Sequence, residues 1–478
     1  MKKCPFSLQN GSAVIDDNNS ISAGERGALT FDNVHLFEKL AHFNRERIAE
    51  RVMHARGSGA YGTFTLAKDL SAITSANFLH TLGNTTKVFV RFSTVGGGQD
   101  SSDNVRDIRG FSVRFYTEEG NFDLVGNNTP VFFLRDPINF PDLAHAVKKD
   151  PRTNIPNGNR PFQFWARLPQ SFHQLTILMS DRGIPYSYRY MHGFGSHTFG
   201  MYNDKNELVW VKWHLKSNQG IKNLTDAEAA RLAVFHAQKD LVDAIDNGEY
   251  PSWQVKLQVM TQKEAETYRV NPFDLTKVWS HKDFPLIEIG TLELNKNVDN
   301  YFMEVEQVAF NPGNFVNGIC ASPDKMLQAR LFAYPDAQRY RLGVNYNQLS
   351  VNKPRCPVYN YQRDGLMADF SSDEHRKEMS GINFYPNAES KQLHLGEQAP
   401  PALNLSGQNR IYDTGSEDNF SQAGDLFRLL TEEQRVELIN NFANGLHLAD
   451  LETKKLMISY AYAADNEYGE MLKKILAM

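Results

Sequence analysis

The chain has 478 residues, too long for one ordinary core and sized for roughly two to four domains. A formal net charge of −5 offers nothing to nucleic acid or to an anionic membrane surface. Three widely spaced cysteines, Cys4, Cys320 and Cys356, exclude a disulfide framework and paired metal-ligand spacing, and predict reduced thiols in a cytoplasmic protein.

Residues 1–53 read as an arm. Polar residues follow Lys2 and Lys3, which predicts no secretory signal. Looser amphipathic spacing follows at Phe37, Leu40, Phe43 and Ile48. No run approaches the roughly 20 apolar residues of a membrane span. Residues 54–296 are strand-rich. Val88, Val90 and Phe92 fall on one face of an extended segment, and Phe89, Arg91 and Ser93 on the other. Phe111, Val113 and Phe115 alternate likewise, between turn signals at Glu119–Asn121 and Gly126–Asn128. Helix punctuation is sparse here, so an antiparallel sheet or barrel is expected. Residues 297–415 are irregular and long enough to wrap other structure. Residues 416–478 are helical, with a capping box Thr431–Gln434 ahead of Val436, Ile439 and Phe442.

Two strips carry the chemistry. Arg51–Thr65 sets His54 among arginines and before glycines; Arg330–Gly343 pairs Arg330 with Tyr334 at helical i, i+4 spacing. They read as two walls of one buried cofactor pocket. A free tyrosine titrates near 10, so a phenolate at neutral pH needs a shift of about three units, about 4 kcal/mol. A guanidinium neighbour and a bound metal ion can supply that. Pro335 is expected to break the helix just after Tyr334. Arg51, Arg91 and Arg341 come from three remote segments, and their convergence would suit a dianionic group. Gly57–Gly62 matches GxGxxG, yet its extended flanks and the absence of a βαβ unit argue against a dinucleotide fold. Asn127–Asn128 reads either as a hairpin turn or as an amide donor, Asn127, over a ring-lined cavity.

In order along the chain, the His54 strip, Arg91-Phe-Ser93, Asn104-Val-Arg-Asp107, Gly126–Pro130, Asp181–Pro185, Gly195-Ser-His-Thr198, Asn271–Lys277 and Arg330–Pro335 closely resemble the monofunctional haem catalases of the small-subunit, NADPH-binding type. The resemblance implies an α+β, mostly β fold: an N-terminal arm, an eight-stranded antiparallel barrel, a wrapping segment and a C-terminal helical domain, assembled as a homotetramer. It implies haem b (iron protoporphyrin IX) and dismutation of hydrogen peroxide to water and dioxygen through a high-valent oxo-iron state. Tyr334 would be the proximal iron ligand, stabilised by Arg330, with His197 on the same side. His54 and Asn127 would be catalytic on the distal side, with Ser93 holding the His54 ring. Arg51, Arg91 and Arg341 would pair with the propionates. Phe132, Phe133 and Phe140 would line the pocket and channel, with Asp107 in the channel.

The resemblance also implies NADPH at His173, Ser180, Arg182, Lys216, Val278, Trp279 and His281. At position 192 this chain has histidine where the family usually has asparagine. Met53 stands where valine commonly precedes the distal histidine, which makes it a candidate for oxidation. Two other readings share these residues: a haem lyase of fatty-acid hydroperoxides and a non-enzymatic haem-binding relative.

Overall fold

The computed structural model describes residues 5–369, 381–388, 396, 398–413 and 417–478. Cys4 and the expected boundary at 415/416 lie outside them. The chain divides into two compact units, Met1–Glu50 and Arg51–Met478. Among the described residues the first carries one helix, Val34–Arg45, capped by the Asn33 side chain and without a buried residue.

The second unit is built on a closed barrel. Its strands are β1 (Gly57–Leu66), β2 (Thr85–Thr94), β3 (Arg109–Thr117), β4 (Gly120–Asn127), β5 (Gly193–Phe194), β6 (Phe199–Tyr202), β7 (Leu208–Ser217), β8 (Ser252–Thr261), β9 (Ile287–Asn297) and β10 (Ile319–Ala321). Antiparallel pairing runs β7-β5-β4-β3-β2-β1-β9-β8, and β8 returns to β7, closing eight strands; β6 and β10 extend from β7. The period-two pattern decides what each face carries. Val88, Val90 and Phe92 of β2 point into the barrel with Phe111, Val113 and Phe115 of β3, around Trp213 and Trp253. Phe89 belongs instead to a separate cluster outside, with Val125, Phe310 and Tyr334. That outer face carries Arg91 and Ser93.

Helices interrupt the strand-rich region more than its sequence suggests. Phe140–Val147, Asn159–Ala166 and Phe172–Met179 lie between β4 and β5. They share a core with the C-terminal helices Ser421–Leu429, Glu432–Leu446, Leu451–Ala464 and Asn466–Ile475. Phe172 lies at its centre, its ring 5.6–6.1 Å from those of Phe420, Phe442, Tyr460 and Tyr468. Each such pair adds about 0.5–1.5 kcal/mol beyond the area it buries. The Thr431–Gln434 capping box forms as expected.

The segment after β9 is tied to the barrel's outer face by a buried ion pair. Arg114 donates to both carboxylate oxygens of Asp123, at 2.7 and 2.6 Å, and to the carbonyls of Ala309 and Val351. This segment is not wholly irregular. A helix spans Lys325–Leu342, and Pro335 lies inside it, so the expected break does not occur. Proline removes one hydrogen bond, but tertiary contacts outweigh that loss. Arg330 is anchored to Val125 O and Arg341 to Val308 O, which pins the helix on both sides of the proline. Gly343, at φ 103°, then ends it.

Candidate active site

The site grows from two neighbouring rungs of the outer face. In register across four strands stand Gly57, Ser93, Gly110 and Asn127. The next rung carries Gly59, Arg91, Ser112 and Val125. Side chains on one such row point the same way, so Ser93 and Asn127 project beside one another with a glycine between them. Asn127 ends β4 and also pairs with Phe194 of β5, so the hairpin-turn reading of Asn127–Asn128 does not hold. Asn128 instead accepts from the Arg109 backbone N–H through its side chain.

His54 reaches this row from the segment before β1. Its backbone takes φ 63°, a costly left-handed conformation for a non-glycine residue and one that clusters at functional sites. The backbone is held by His54 N–H to Val95 O at 3.1 Å and by Arg91, which donates to His54 O at 2.9 Å and to Ala55 O at 3.1 Å. The ring meets Ser93 Oγ through Nδ1 at 2.9 Å. Room for this pair exists because position 110 lacks a Cβ, which would lie 2.3 Å from Ser93 Oγ and 2.8 Å from His54 Nδ1. Gly57 is open for a like reason: a Cβ there would lie 2.7 Å from the Arg91 guanidinium carbon. The glycines of the GxGxxG match thus serve close strand packing. Burial, then the charges of Arg91, Arg330 and Arg51, press the His54 pKa down to about 3, so the ring is neutral.

Three arginines converge as expected. Arg51 donates to the carbonyls of Val305, Glu306 and Val308, and Arg341 to those of Glu306 and Val308. Burial and then the charges of Arg91 and Arg341 hold Arg51 well below the usual guanidinium range; burial and then Arg91 bring Arg341 to about 10. Glu306 contributes a carboxylate 3.5 Å from Arg51. Arg91 Nε and Glu306 Oε1 are buried with no hydrogen-bond partner among the described residues. Excess buried positive charge with a spare donor fits an anionic ligand, and the residues therefore fit a porphyrin carrying carboxylates.

On the Tyr334 side, Arg330 donates to Tyr334 Oη at 2.7 Å, to Val125 O at 3.0 Å and to His197 Nε2 at 2.6 Å. Arginine has no acceptor, so His197 Nε2 must accept. The His197 proton then sits on Nδ1, which donates to Asp324 Oδ2 at 2.7 Å. Asp324 also caps the helix, accepting from Met326 and Leu327 N–H groups. Burial acts to raise its pKa, but His197, the Leu327 N–H and the Lys212 charge outweigh it, and the carboxyl stays below its usual range. Burial lowers the His197 pKa, in keeping with a neutral ring. Asp324, Glu306 and Gly110 escaped the sequence reading. Asp324 had a signal, an Asp before the helix that carries Tyr334; the other two had none.

Aromatic rings wall one approach. Phe133 stacks on Trp165 at 5.1 Å and meets Phe132 at 5.5 Å; Phe140 lies 6.4 Å from Phe132. Met53 is buried in the same cluster with Val95 and Ile108. Asp107 accepts from Val95 and Gly96 N–H groups at 2.7 and 2.8 Å, and burial raises its pKa.

The residues expected to hold a nucleotide fall in two groups. Lys216, Arg182, His192 and His281 are electrostatic neighbours, and burial followed by those cations presses Lys216 to about 8 and His192 to about 3. His192 accepts from Ser217 N–H through Nδ1. His173 is buried against Thr276 O at 3.0 Å, and Ser180 caps the turn at Arg182. Val278 N–H reaches Gln422, while Trp279 is buried with its indole on Pro272 O.

Comparison with known proteins agrees with this geometry. A model of the catalase family matches residues 7–391, and a model described as catalase-related immune-responsive matches 414–476. A catalase of Aliivibrio fischeri is 53% identical over 98% of this chain and 96% of its own length. Catalase A of Pseudomonas putida is 52% identical over 98% of each. Among solved structures, catalase A of Saccharomyces cerevisiae superposes with a TM-score of 0.94 at 38% identity, covering 100% of this chain and 99% of its own. The chain belongs to the catalase family and is a haem catalase, an enzyme that converts hydrogen peroxide to water and dioxygen.

Proposed function

We propose that hydrogen peroxide is dismutated beside His54 and Asn127 at a haem b that the outer face of the barrel would hold, with Tyr334 as the residue that would bind its iron. One observation carries the reading: Arg91, which holds the His54 backbone, converges with Arg51 and Arg341, and both Arg51 and Arg91 keep a side-chain nitrogen with no hydrogen-bond partner among the described residues. Bound there, the haem supplies the redox chemistry by which the peroxide bond is cleaved and dioxygen formed. His54 takes a proton at Nε2 from one peroxide oxygen and returns it to the other, releasing water. Ser93 fixes the ring by accepting from Nδ1–H, which leaves Nε2 free as the base. Asn127 donates an amide N–H to the peroxide and orients it without titrating. Arg330 stabilises the Tyr334 phenolate, with His197 behind it. Arg51, Arg91 and Arg341 would pair with the propionates. Phe132, Phe133 and Phe140 exclude larger donors, and Asp107 draws peroxide along the channel. Dioxygen evolution by the purified haem-loaded protein, one per two peroxides, is expected, and its loss in His54→Ala with haem retained. Full activity in that variant would overturn the assignment.

The finer readings follow from the same residues. NADPH is held by the cluster of Arg182, Lys216 and His281, with His173, Ser180, Val278 and Trp279, and its phosphates meet the cations. Met53, adjacent to the base, is an oxidation target. We place the chain in the cytoplasm as a homotetramer. No helix among the described residues is long and apolar enough to cross a membrane. The proposed division is arm 1–53, barrel 54–296, wrapping segment 297–415 and helical domain 416–478.

A further inference from the structure

The ladder beside His197 is broken in an unusual way. Strand β7 meets β5 at His214–Phe194 and β6 at Val211–Phe199. Two β7 residues, Lys212 and Trp213, therefore face four, Gly195 to Thr198. Gly195 N–H still reaches Trp213 O at 2.9 Å. Ser196 then adopts φ 60°, and His197 N–H folds back onto Gly195 O at 2.7 Å. Bulges re-aim side chains beside active sites. This one delivers the His197 ring to Arg330 and takes the Ser196 carbonyl out of the ladder.

Lys212 answers that carbonyl. Its Nζ donates to Ser196 O at 2.8 Å from a buried position, 5.5 Å from the centre of the Trp279 ring. A neutral donor would satisfy one carbonyl. Burying an ammonium costs far more, unless its charge is used. The fields of Asp324 and Asp274 reach it. Asp324 is the carboxylate on which His197 rests.

We propose that Lys212 is a positioning residue for the proximal ligand: it holds the Ser196–His197 bulge and tempers the Asp324 carboxylate, so setting how strongly Arg330 neutralises the Tyr334 phenolate. A more negative Asp324 makes His197 Nε2 a stronger acceptor, which draws the Arg330 charge toward His197 and away from Tyr334. The phenolate then donates more strongly to iron. Removing the Lys212 charge has this effect and also removes a buried cation, and both favour ferric over ferrous iron. The inference rests on Tyr334 as the iron ligand.

The test is a potentiometric titration of the haem-loaded protein, followed by absorption, on Lys212→Gln and Lys212→Met. Glutamine keeps a donor for Ser196 O and loses the charge. Both variants are expected to lower the ferrous-to-ferric ratio at a fixed applied potential by about tenfold, the order set by one buried unit charge through an effective dielectric of about 20. A purely structural lysine predicts a wild-type ratio in Lys212→Gln, and that result overturns the proposal. Asp324→Asn, which keeps the helix cap, is expected to raise the ratio and to shrink the effect of Lys212→Gln to about threefold or less. Should neither lysine variant load haem, Asp324→Asn decides alone, and an unchanged ratio overturns the proposal. Tyr334→Phe is titrated in parallel. An unchanged ratio there removes the ligand assignment itself, a failure distinct from any result at Lys212.

Discussion

Gly110→Ala probes the pocket through a residue that does no chemistry. Its Cβ would lie 2.3 Å from Ser93 Oγ and 2.8 Å from His54 Nδ1, where ordinary contact begins at 3.4 Å. Ser93 Oγ must then retreat by about 1 Å and the His54 ring by about half that. Neither can yield freely. Ser93 lies on a central strand, and the His54 backbone is fixed at φ 63° by Arg91 and Val95. A displacement of about 1 Å in a reacting constellation costs about 100-fold in rate. Overpacking of this kind costs about 1–3 kcal/mol in stability. We expect kcat/KM for dioxygen evolution to fall about 100-fold, with haem content retained and thermal stability reduced by a few degrees. Wild-type kcat/KM in Gly110→Ala, measured at equal haem content, would refute the reasoning that the His54–Ser93 contact positions the base.

Four further outcomes follow. His54, held near 3 chiefly by burial and then by Arg91, Arg330 and Arg51, stays an unprotonated base, so kcat/KM should be flat from pH 9 down to about 5; an inflection near 6.5 contradicts this. The same depressed pKa makes its stability contribution complete above about 6.5 and progressively lost as pH falls toward 3, because only the unfolded state takes up the proton; thermal midpoints read across that window should decline. Met53 should carry added oxygen after many turnovers, read by peptide mass spectrometry, and an unmodified Met53 peptide refutes this. Arg182→Ala and Lys216→Ala should each weaken NADPH binding by about 10–100-fold by calorimetry, the loss of one charge-assisted contact, whereas unchanged affinity places the nucleotide elsewhere.

Much of this site is local in sequence and therefore legible. Period-two alternation separates Val88, Val90 and Phe92 from Arg91 and Ser93 without knowledge of strand partners. The i, i+4 spacing of Arg330 and Tyr334 yields a 2.7 Å hydrogen bond because the helix forms there. What stayed hidden depends on distant pairing. Gly110 matters only because β3 sets it between Ser93 and Asn127. Glu306 matters because Arg51 and Arg341, from distant segments, share its carbonyl and its carboxylate lies beside Arg51. Pro335 misleads because the anchors that carry its helix past the lost bond, Val125 O and Val308 O, lie elsewhere in the chain. The short helices between β4 and β5 bury rings against the C-terminal helices, a contact that no local pattern displays.

The central claim, that Tyr334 binds iron across from His54, is tested most directly by resonance Raman spectroscopy of the haem-loaded protein with ring-deuterated tyrosine. The account predicts isotope-sensitive iron–phenolate modes in the wild type and their loss in Tyr334→Phe with haem still bound. Their absence from the wild type, or persistence in Tyr334→Phe, would contradict it.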